Sequence, residues 1–345
     1  MIEFYLGKKV VVTGGASFIG SHLVERLILL GSNVTVIDDM SSGKYENLEH
    51  VSDKITILEK DLRIQSTAAE AFRGVDYVFH LANIHGGRGF IETHPGEISQ
   101  NFLIDGNVFY AAHSNGVSNV CYASSACVYP TNLQELNPSP ENRYLSEEMA
   151  DPFKIGGANS DGVYGWAKFM GELALKSYNE QFGLKGVSCR LFTVYGPREN
   201  ESHAIIAFIA RAILKQDPYV IWGSGQQDRN FTYVDDVVEG MLRATARIND
   251  CSAINIGTSE ITKIKDAVET VCAVLNFTPK EFFFDKSKPE GVAARAASTS
   301  MQEKKLGWSP QVSFEKGIAK TIKWYQENVN VSNLKSNFEA KLMER

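Results

Sequence analysis

Hydrophobic and polar residues follow two periodicities in the first half of the chain. Six short runs rich in β-branched residues have the length and composition of buried strands. These predicted strands span residues 9–13, 33–38, 55–59, 77–81, 117–124 and 187–192. Between them, residues 21–30, 100–115 and 163–181 carry apolar side chains at helical spacing. Strands that alternate with helices predict an α/β protein with a doubly wound parallel sheet.

The pattern becomes less regular after Gly196 and Pro197, where we predict only short mixed elements. Residues 255–257 have the pattern of one more strand end, and residues 314–328 that of a closing helix. We therefore expect one domain over residues 1–190, to which residues 232–257 return. We expect a smaller α/β lobe to be formed by residues 191–231 and 258–330, with residues 331–345 as a polar tail.

Composition narrows the function classes. With 345 residues, of which 43% are hydrophobic and 22% charged, the chain can bury a large core. A net charge of −6 provides no basic surface for nucleic acid or anionic lipid. No apolar run approaches the roughly 20 residues of a membrane span, and no signal peptide is evident, so a cytoplasmic location is expected. The five cysteines show no CxxC spacing, which predicts free thiols and no metal site.

A glycine-rich turn joins the first predicted strand to the first predicted helix. Glycines at this place let the backbone approach a pyrophosphate, whose charge is stabilised by the N–H groups of the helix N-terminus. Such a turn is typical of Rossmann-type sheets, although it can also be purely structural. The candidate cofactor contacts in the turn are Gly14, Gly15, Ser17, Phe18, Ile19 and Gly20, with Ser17 in place of the usual middle glycine.

Asp38 ends the second predicted strand, where a carboxylate binds both hydroxyls of an adenosine ribose. The same charge repels a 2′-phosphate, so NAD is favoured over NADP. Further candidate cofactor contacts lie where the third and fourth strands end, at Asp61, Leu62, Leu81 and Ala82. Ordinary loop capping explains these four residues equally well.

Tyr164 and Lys168 lie one turn apart in a predicted helix and so share one face. An ammonium group beside the phenol, with oxidised nicotinamide nearby, is expected to lower the tyrosine pKa from about 10 towards neutrality. Such a tyrosine can accept a hydroxyl proton during hydride transfer. Ser124 and Ser125 add hydroxyls at the end of the fifth strand. Together these residues predict redox chemistry on a bound nicotinamide.

Further motifs occur in a fixed order: SSACVYP at 124–130, YGWAK at 164–168, VYGPR at 194–198, WGSGQQDRNFTYVDDV at 222–237, NIGT at 255–258 and LGW at 306–308. Over residues 8–328 the chain thereby resembles the extended short-chain dehydrogenase/reductase family, within its NAD-dependent nucleotide-sugar epimerases and dehydratases. The resemblance implies Ser125, Tyr164 and Lys168 as a catalytic triad. It also implies a nucleoside-diphosphate sugar as substrate, bound by the smaller lobe, and a homodimer formed through residues 100–115 and 163–181.

The resemblance also suggests which residues contact the substrate. Arg229 and Arg295 are the implied partners of the diphosphate. Gly87 and Arg88, in the loop after the fourth strand, are placed near the sugar together with His85, whereas His80 is expected in the core. Thr193 stands where the family usually has asparagine, which puts that substrate contact in doubt.

Cys127 narrows the choice of family member. The dehydratases carry an Asp-Glu pair where this chain has Ala126 and Cys127, and 4-epimerases usually have threonine or a small residue at the cysteine position. SSACVYP and the stretch 81–90 are similar to segments of the GDP-mannose 3,5-epimerases. Their cysteine works with a lysine, and the corresponding position here is His203. A Cys-His pair is instead similar to that of the GDP-4-keto-6-deoxymannose epimerase/reductases, which consume NADPH.

We therefore expect a transient oxidation at sugar C4, proton exchange at C3, C5 or both by Cys127 and His203, and re-reduction. A UDP-sugar 4-epimerase, the NADPH-consuming epimerase/reductase and an NAD-bound regulatory protein are alternatives. The simpler explanations are a small buried thiol for Cys127 and a surface or capping histidine for His203.

Overall fold

A computed structural model of the chain describes residues 1–135, 138–200, 203–288 and 290–330. The expected tail over residues 331–345 lies outside the described residues. The strands are β1 (Lys9–Thr13), β2 (Asn33–Asp38), β3 (Ile55–Glu59), β4 (Tyr77–His80), β5 (Asn119–Ser125), β6 (Gly186–Leu191), β7 (Val194–Tyr195), β8 (Tyr219–Trp222), β9 (Asp228–Arg229), β10 (Thr232–Tyr233), β11 (Ala253–Ile256), β12 (Thr262–Lys263), β13 (Phe282–Asp285) and β14 (Ala294–Arg295). The α-helices are α1 (Ile2–Tyr5), α2 (Phe18–Leu29), α3 (Gln65–Ala71), α4 (Arg88–Thr93), α5 (Pro95–Ser99), α6 (Asn101–Ser114), α7 (Gly162–Phe182), α8 (Ala204–Ile213), α9 (Val234–Arg247), α10 (Ile264–Val274), α11 (Ser300–Leu306) and α12 (Phe314–Asn328).

Seven parallel strands form the main sheet in the order β3-β2-β1-β4-β5-β6-β11. One face is covered by α2 and α9, which pack together, and the other by α3, α6 and α7. The chain reverses direction across the sheet between β1 and β4, which is the switch point where ligands bind in doubly wound sheets. This arrangement confirms the predicted Rossmann-type sheet.

The six predicted strands and three predicted helices of the first half are present, with bounds that differ by up to three residues. The largest difference is at α2, which begins at Phe18 because Ser17, with extended backbone, is its N-cap. The prediction of short elements after Gly196 was wrong, because α8, α9 and α10 are helices of ten or more residues. All but one of the α8 residues between 205 and 212 are apolar, and all eight are buried. A short, nearly continuous apolar run of this kind does not distinguish a buried helix from a buried strand.

Three small sheets complete the second half: β7 with β10, β8 with β13, and β9 between β12 and β14. After α9, the chain returns to the main sheet as β11, which pairs with β6. In the part of the chain that the structure describes, no helix combines the length and apolarity that crossing a membrane requires. Those residues also contain no group of three or more potential metal ligands, and all five cysteines are free thiols.

Candidate active site

A cavity of about 650 Å³ opens at the carboxyl ends of β1, β2, β4 and β5. All the residues that the sequence suggested for the site line it, except Gly15 and Lys168. A Cβ on Gly15 would lie 2.9 Å from the Val36 side chain, so this glycine serves the packing of the turn on β2. Lys168 is buried behind the cavity wall.

The glycine turn is packed too tightly for side chains. Gly14 has φ of +69°, and a Cβ there would lie 2.8 Å from the backbone nitrogen of Ala82. A Cβ on Gly20 would overlap the carbonyl oxygen of Gly14. The side chain of Ser17 makes no capping hydrogen bond to the first turn of α2. The turn therefore presents backbone to the cavity beside a helix N-terminus, which suits a pyrophosphate.

Asp38 lies beside this turn with its carboxylate against the cavity. One oxygen accepts the N–H of Ala16 at 2.9 Å and the other that of Met40 at 3.0 Å. Burial raises the pKa of Asp38, and the two N–H donors oppose the rise. Each oxygen retains a lone pair, so the carboxylate can also accept ribose hydroxyls.

The residues after β3 also have a structural role. Asp61 lines the cavity but binds the Arg63 guanidinium, whose hydrogen bond lowers the Asp61 pKa. The carbonyl of Leu62 accepts a hydrogen bond from Asn107 at 2.9 Å. Loop capping thus accounts for their local contacts, and both residues still face the cofactor side of the cavity.

Ser125, Tyr164 and Lys168 come together where β5 meets α7. Burial raises the pKa of Tyr164, and a hydrogen bond with Ser125 opposes this. The Lys168 Nζ lies 5.9 Å from the centre of the Tyr164 ring. The expected lowering of the Tyr164 pKa is therefore absent from the protein alone. It requires the positive charge of an oxidised nicotinamide, which the protein atoms do not supply.

The ammonium of Lys168 has no hydrogen-bond partner although the side chain is only 1% exposed. Burial lowers its pKa, and the charge of Asp105 opposes this. A buried donor without an acceptor is costly. A ligand hydroxyl, such as those of a nicotinamide ribose, supplies the missing acceptor, and in this respect the site fits a dinucleotide.

A buried hydrogen-bonded network lies next to the Lys168 ammonium. Asp105 accepts from the Tyr122 hydroxyl at 2.6 Å and contacts His80 Nε2 at 3.0 Å, while His80 Nδ1 contacts the Thr13 hydroxyl at 2.7 Å. The Lys168 Nζ lies 4.9 Å from the centre of the Tyr122 ring. His80 is thus a core residue, as expected.

Cys127 belongs to an ionic cluster on the substrate side of the cavity. The Arg295 guanidinium donates to Cys127 Sγ at 3.2 Å, to Asp161 at 2.8 Å and to Gln134 at 2.6 Å. Arg88 donates to both oxygens of the same Asp161 at 2.8 and 2.9 Å. Burial raises the pKa of Asp161, but Arg295 and Arg88 outweigh it and hold that pKa below its usual value.

Asp161 was not suggested by the sequence, because nothing in its neighbourhood distinguishes it from a loop aspartate. Arg295, expected at a diphosphate, directs three of its donors to protein groups. Arg229 lies nearby with its Nη1 donating to the Asp228 carbonyl at 2.8 Å, and burial lowers its pKa to about 10. Thr193 and Gly87 also line the cavity, and Gly87 is the N-cap of α4.

His203 is the N-cap residue of α8 and lines the same cavity as Cys127 and Tyr164. Its Nδ1 lies 3.1 Å from Glu199, and its ring stacks at a tilt on that of His85, with 5.8 Å between the ring centres. The sequence analysis did not suggest Glu199, although its spacing of four residues from His203 is a usable signal. It also missed Arg198, which lines the cavity and reaches Ser21 at the start of α2.

Comparisons with known proteins agree with this geometry. The family model "NAD dependent epimerase/dehydratase family" matches residues 10–257. A GDP-mannose 3,5-epimerase from Arabidopsis thaliana is 32% identical over 335 residues, covering 95% of this chain and 85% of that protein. The chain is also similar to two solved UDP-glucose 4-epimerases, each 26% identical and covering 93% of this chain and 100% of the other. These are the Thermotoga maritima enzyme with UDP-glucose, at a TM-score of 0.81, and the Thermus thermophilus enzyme with NAD, at 0.80.

The family model matches more than half of the chain, and the Arabidopsis thaliana protein aligns along nearly all of it. The expected fold and the expected cofactor are both confirmed by these comparisons. The chain belongs to the NAD-dependent epimerase/dehydratase family, with NAD as its cofactor.

Proposed function

We propose that this protein epimerises a nucleoside-diphosphate hexose at C3, C5 or both, after a transient oxidation at C4, as its similarity to GDP-mannose 3,5-epimerase suggests. The observation that carries the proposal is that the Cys127 thiol and the His203 imidazole line the same cavity as Tyr164. A plain 4-epimerase needs no acid or base beyond the tyrosine. Two further proton-transfer groups in one cavity indicate chemistry at a second carbon.

Bound NAD, which the glycine turn and Asp38 would hold, would supply the hydride acceptor and donor for C4. Tyr164 accepts the proton of the C4 hydroxyl, and Ser125 donates a hydrogen bond to the same oxygen. The Lys168 ammonium lies 5.9 Å from the centre of the Tyr164 ring, and among the described residues it meets no hydrogen-bond acceptor, so it is available to a ligand hydroxyl. The resulting 4-ketone makes the hydrogens on C3 and C5 acidic.

Cys127 and His203 then exchange protons with the carbon next to the ketone. The Arg295 guanidinium donates to Cys127 Sγ at 3.2 Å and so fixes the position of the sulfur at the cavity wall. Asp161 in turn fixes Arg295 and Arg88, so the thiol is held by a chain of charged groups. Hydrogen bonds from Ser125 to the C4 oxygen stabilise the enolate, an effect of about 3 kcal/mol per donor in other enzymes.

The second half of the chain is proposed to bind the sugar nucleotide, through the lobe formed by residues 191–231 and 258–330. Arg229 is better placed than Arg295 for the diphosphate. Among the described residues, its hydrogen bonds go to two backbone carbonyls, at 2.8 and 3.4 Å, and not to a carboxylate. Arg295 is less available for that role because three of its donors bind Cys127, Asp161 and Gln134.

The second candidate is the epimerase/reductase reaction on a 4-keto sugar, and the presence of His203 as the partner of Cys127 favours it. That reaction consumes NADPH. The buried Asp38 carboxylate opposes binding of a 2′-phosphate, which is why we prefer the self-contained NAD cycle.

The test is mass spectrometry of GDP-mannose and other nucleotide sugars after incubation with the purified protein in D₂O without added cofactor. We expect one or two carbon-bound deuterons in the epimerised product. A product inverted without deuterium would identify a 4-epimerase, and stoichiometric oxidation of added NADPH with a keto sugar would identify the epimerase/reductase. A Tyr164→Phe variant that changes no activity would support the regulatory alternative.

We also propose a homodimer through α6 and α7. Large apolar side chains are exposed on both helices, which is unusual for a free surface. These are Phe102, Leu103, Tyr110, Trp166 and Met170. Light scattering of the wild type and of Leu103→Glu should show a dimer that the substitution weakens, and a monomeric wild type would contradict the proposal.

A further inference from the structure

Glu199 and His203 form a pair at the edge of the cavity, just before and at the start of α8. The Glu199 side chain is only 3% exposed, and its Oε1 lies 3.1 Å from His203 Nδ1. Its second oxygen, Oε2, is buried and meets no hydrogen-bond donor among the residues that the structure describes. Burial raises the pKa of Glu199, and the bond to His203 opposes this. The carboxylate thus depends on the imidazole for a side-chain partner.

This contact determines the tautomer of His203. An ionised carboxylate can only accept hydrogen bonds, so the nitrogen that faces it must carry the proton. That nitrogen is Nδ1. In the neutral ring, Nε2 is then the nitrogen with a free lone pair, and it is the one left to meet a substrate in the cavity.

His85 faces the same imidazole from the loop after β4. The surrounding protein lowers the pKa of His85 to about 3, and His203 contributes to the shift. The His85 ring also lines the cavity. Because His85 stays neutral near pH 7, it packs on His203 without opposing a positive charge there. Among the described residues, Glu199 and His85 are the titratable groups found in contact with His203.

We propose that Glu199 is a positioning residue for epimerisation: it holds His203 with Nδ1 protonated and Nε2 directed to the carbon that exchanges its proton. This inference rests on the proposed function and adds a residue to it. Glu199 acts through His203 and does not itself meet the substrate.

The proton balance of the step is simple. Nε2 of His203 takes the hydrogen from the carbon beside the C4 ketone, and the electron pair of that C–H bond moves to make the enolate on the C4 oxygen. The Cys127 thiol then gives its proton to the opposite face of the same carbon, and the electron pair returns from the enolate. The imidazolium afterwards releases its proton to solvent, and the thiolate regains one from solvent. Glu199 stabilises the imidazolium without taking up a proton.

The test compares Glu199→Leu, Glu199→Gln and wild type for two rates on the same samples. One is uptake of carbon-bound deuterium from D₂O, and the other is reduction of bound NAD by the sugar nucleotide. General acid–base groups contribute roughly 10²- to 10⁴-fold, so misorienting one should slow deuterium uptake by about 10- to 100-fold in Glu199→Leu. Glu199→Gln keeps an acceptor oxygen and should retain more of the rate. NAD reduction should be unchanged in both.

A double-mutant cycle separates positioning from direct catalysis. If Glu199 acts through His203, Glu199→Leu should add no further loss in a His203→Gln background. Additive losses would overturn the proposal, as would an equal loss of NAD reduction, which indicates a structural role. Glu269→Leu is the matched control, since Glu269 pairs with Lys265 at the same i,i+4 spacing on the exposed face of α10.

The site of protonation on the His203 ring can be measured by NMR spectroscopy without following the reaction. In ¹⁵N-histidine-labelled protein, His203 should show a protonated Nδ1 in the wild type and lose that preference in Glu199→Leu. A wild type without deuterium uptake but with this signature would refute the proposed function and leave the positioning intact. A wild type with Nε2 protonated would refute the positioning.

Discussion

The cofactor side and the substrate side of the cavity differ in the groups that form them. The cofactor side is made of backbone: Gly14 and Gly20 leave no room for side chains, and Asp38 is fixed by N–H groups of its own neighbourhood. The substrate side is made of side chains from distant segments, as in the cluster of Arg88, Asp161 and Arg295. Backbone recognition suits NAD, the cofactor on which the family depends. Side-chain clusters can be exchanged, so this side is where the reaction is selected.

The difference also separates two kinds of chemistry. In the proposed reaction, Tyr164 and Lys168 serve the hydride step at the boundary between the two sides. Cys127 and His203, which line the cavity on the substrate side, are proposed to exchange protons at carbon. If this division is correct, substitutions on each side should affect one step and spare the other.

The largest effect is expected for Tyr164→Phe, at the boundary. Loss of the proton acceptor for the C4 hydroxyl should lower kcat by about 10²- to 10⁴-fold, with little change in KM. Steady-state kinetics with the sugar nucleotide measures this. Tyr144→Phe, at an exposed loop position outside the cavity lining, is the control and should behave as wild type. A variant with a raised KM and an unchanged kcat would show that Tyr164 acts only in substrate binding.

The Asp161→Asn substitution tests the ionic cluster on the substrate side by its effect on the free energy of unfolding. Removing the carboxylate takes away the anion that Arg88 and Arg295 share, although Arg88 keeps its ion pair with Glu92. We expect a loss of about 2 kcal/mol in the free energy of unfolding, a figure already reduced for the exposure of Arg88. The exposed pair Lys323–Glu327 is the control, and Glu327→Gln should cost less than about 1 kcal/mol.

The same variant has a predicted pH dependence. The Asp161 pKa is lower in the folded protein than its unfolded value of about 3.9. Its contribution is therefore fully present above that value and is lost as pH falls through the folded pKa. Urea unfolding should show the difference between wild type and Asp161→Asn shrinking below about pH 4. A difference that stays constant across this range would contradict the ionic account.

A smaller effect is expected for Asp38→Asn on the cofactor side. The Asp38 carboxylate repels a 2′-phosphate. Replacing it by the neutral amide of asparagine should therefore lower the ratio of NAD affinity to NADP affinity by about tenfold. Binding titrations with both dinucleotides give the ratio. Asp39→Asn, one residue along and with its carboxylate bound to Ser41, is the control. An unchanged ratio in Asp38→Asn would remove the physical basis of the NAD preference.

The cofactor side was predictable from sequence because its parts are contiguous: a strand, a glycine turn and a helix follow one another, and Asp38 ends the next strand. The cluster around Cys127 was only half predictable. Arg88, Asp161 and Arg295 come from three distant segments, and no local pattern shows that they meet at one carboxylate. The helix α8 was not predicted for another reason, because its short, nearly continuous apolar run is equally compatible with a buried strand.

The division between the two sides can be tested in one sample. In a Cys127→Ser, His203→Gln double variant supplied with GDP-mannose in D₂O, the reduction of bound NAD is followed by its absorbance and carbon-bound deuterium by mass spectrometry. We predict that NAD is still reduced while deuterium uptake is lost. Deuterium uptake at the wild-type rate would contradict the account, because Cys127 and His203 could then not be the groups that exchange protons at carbon.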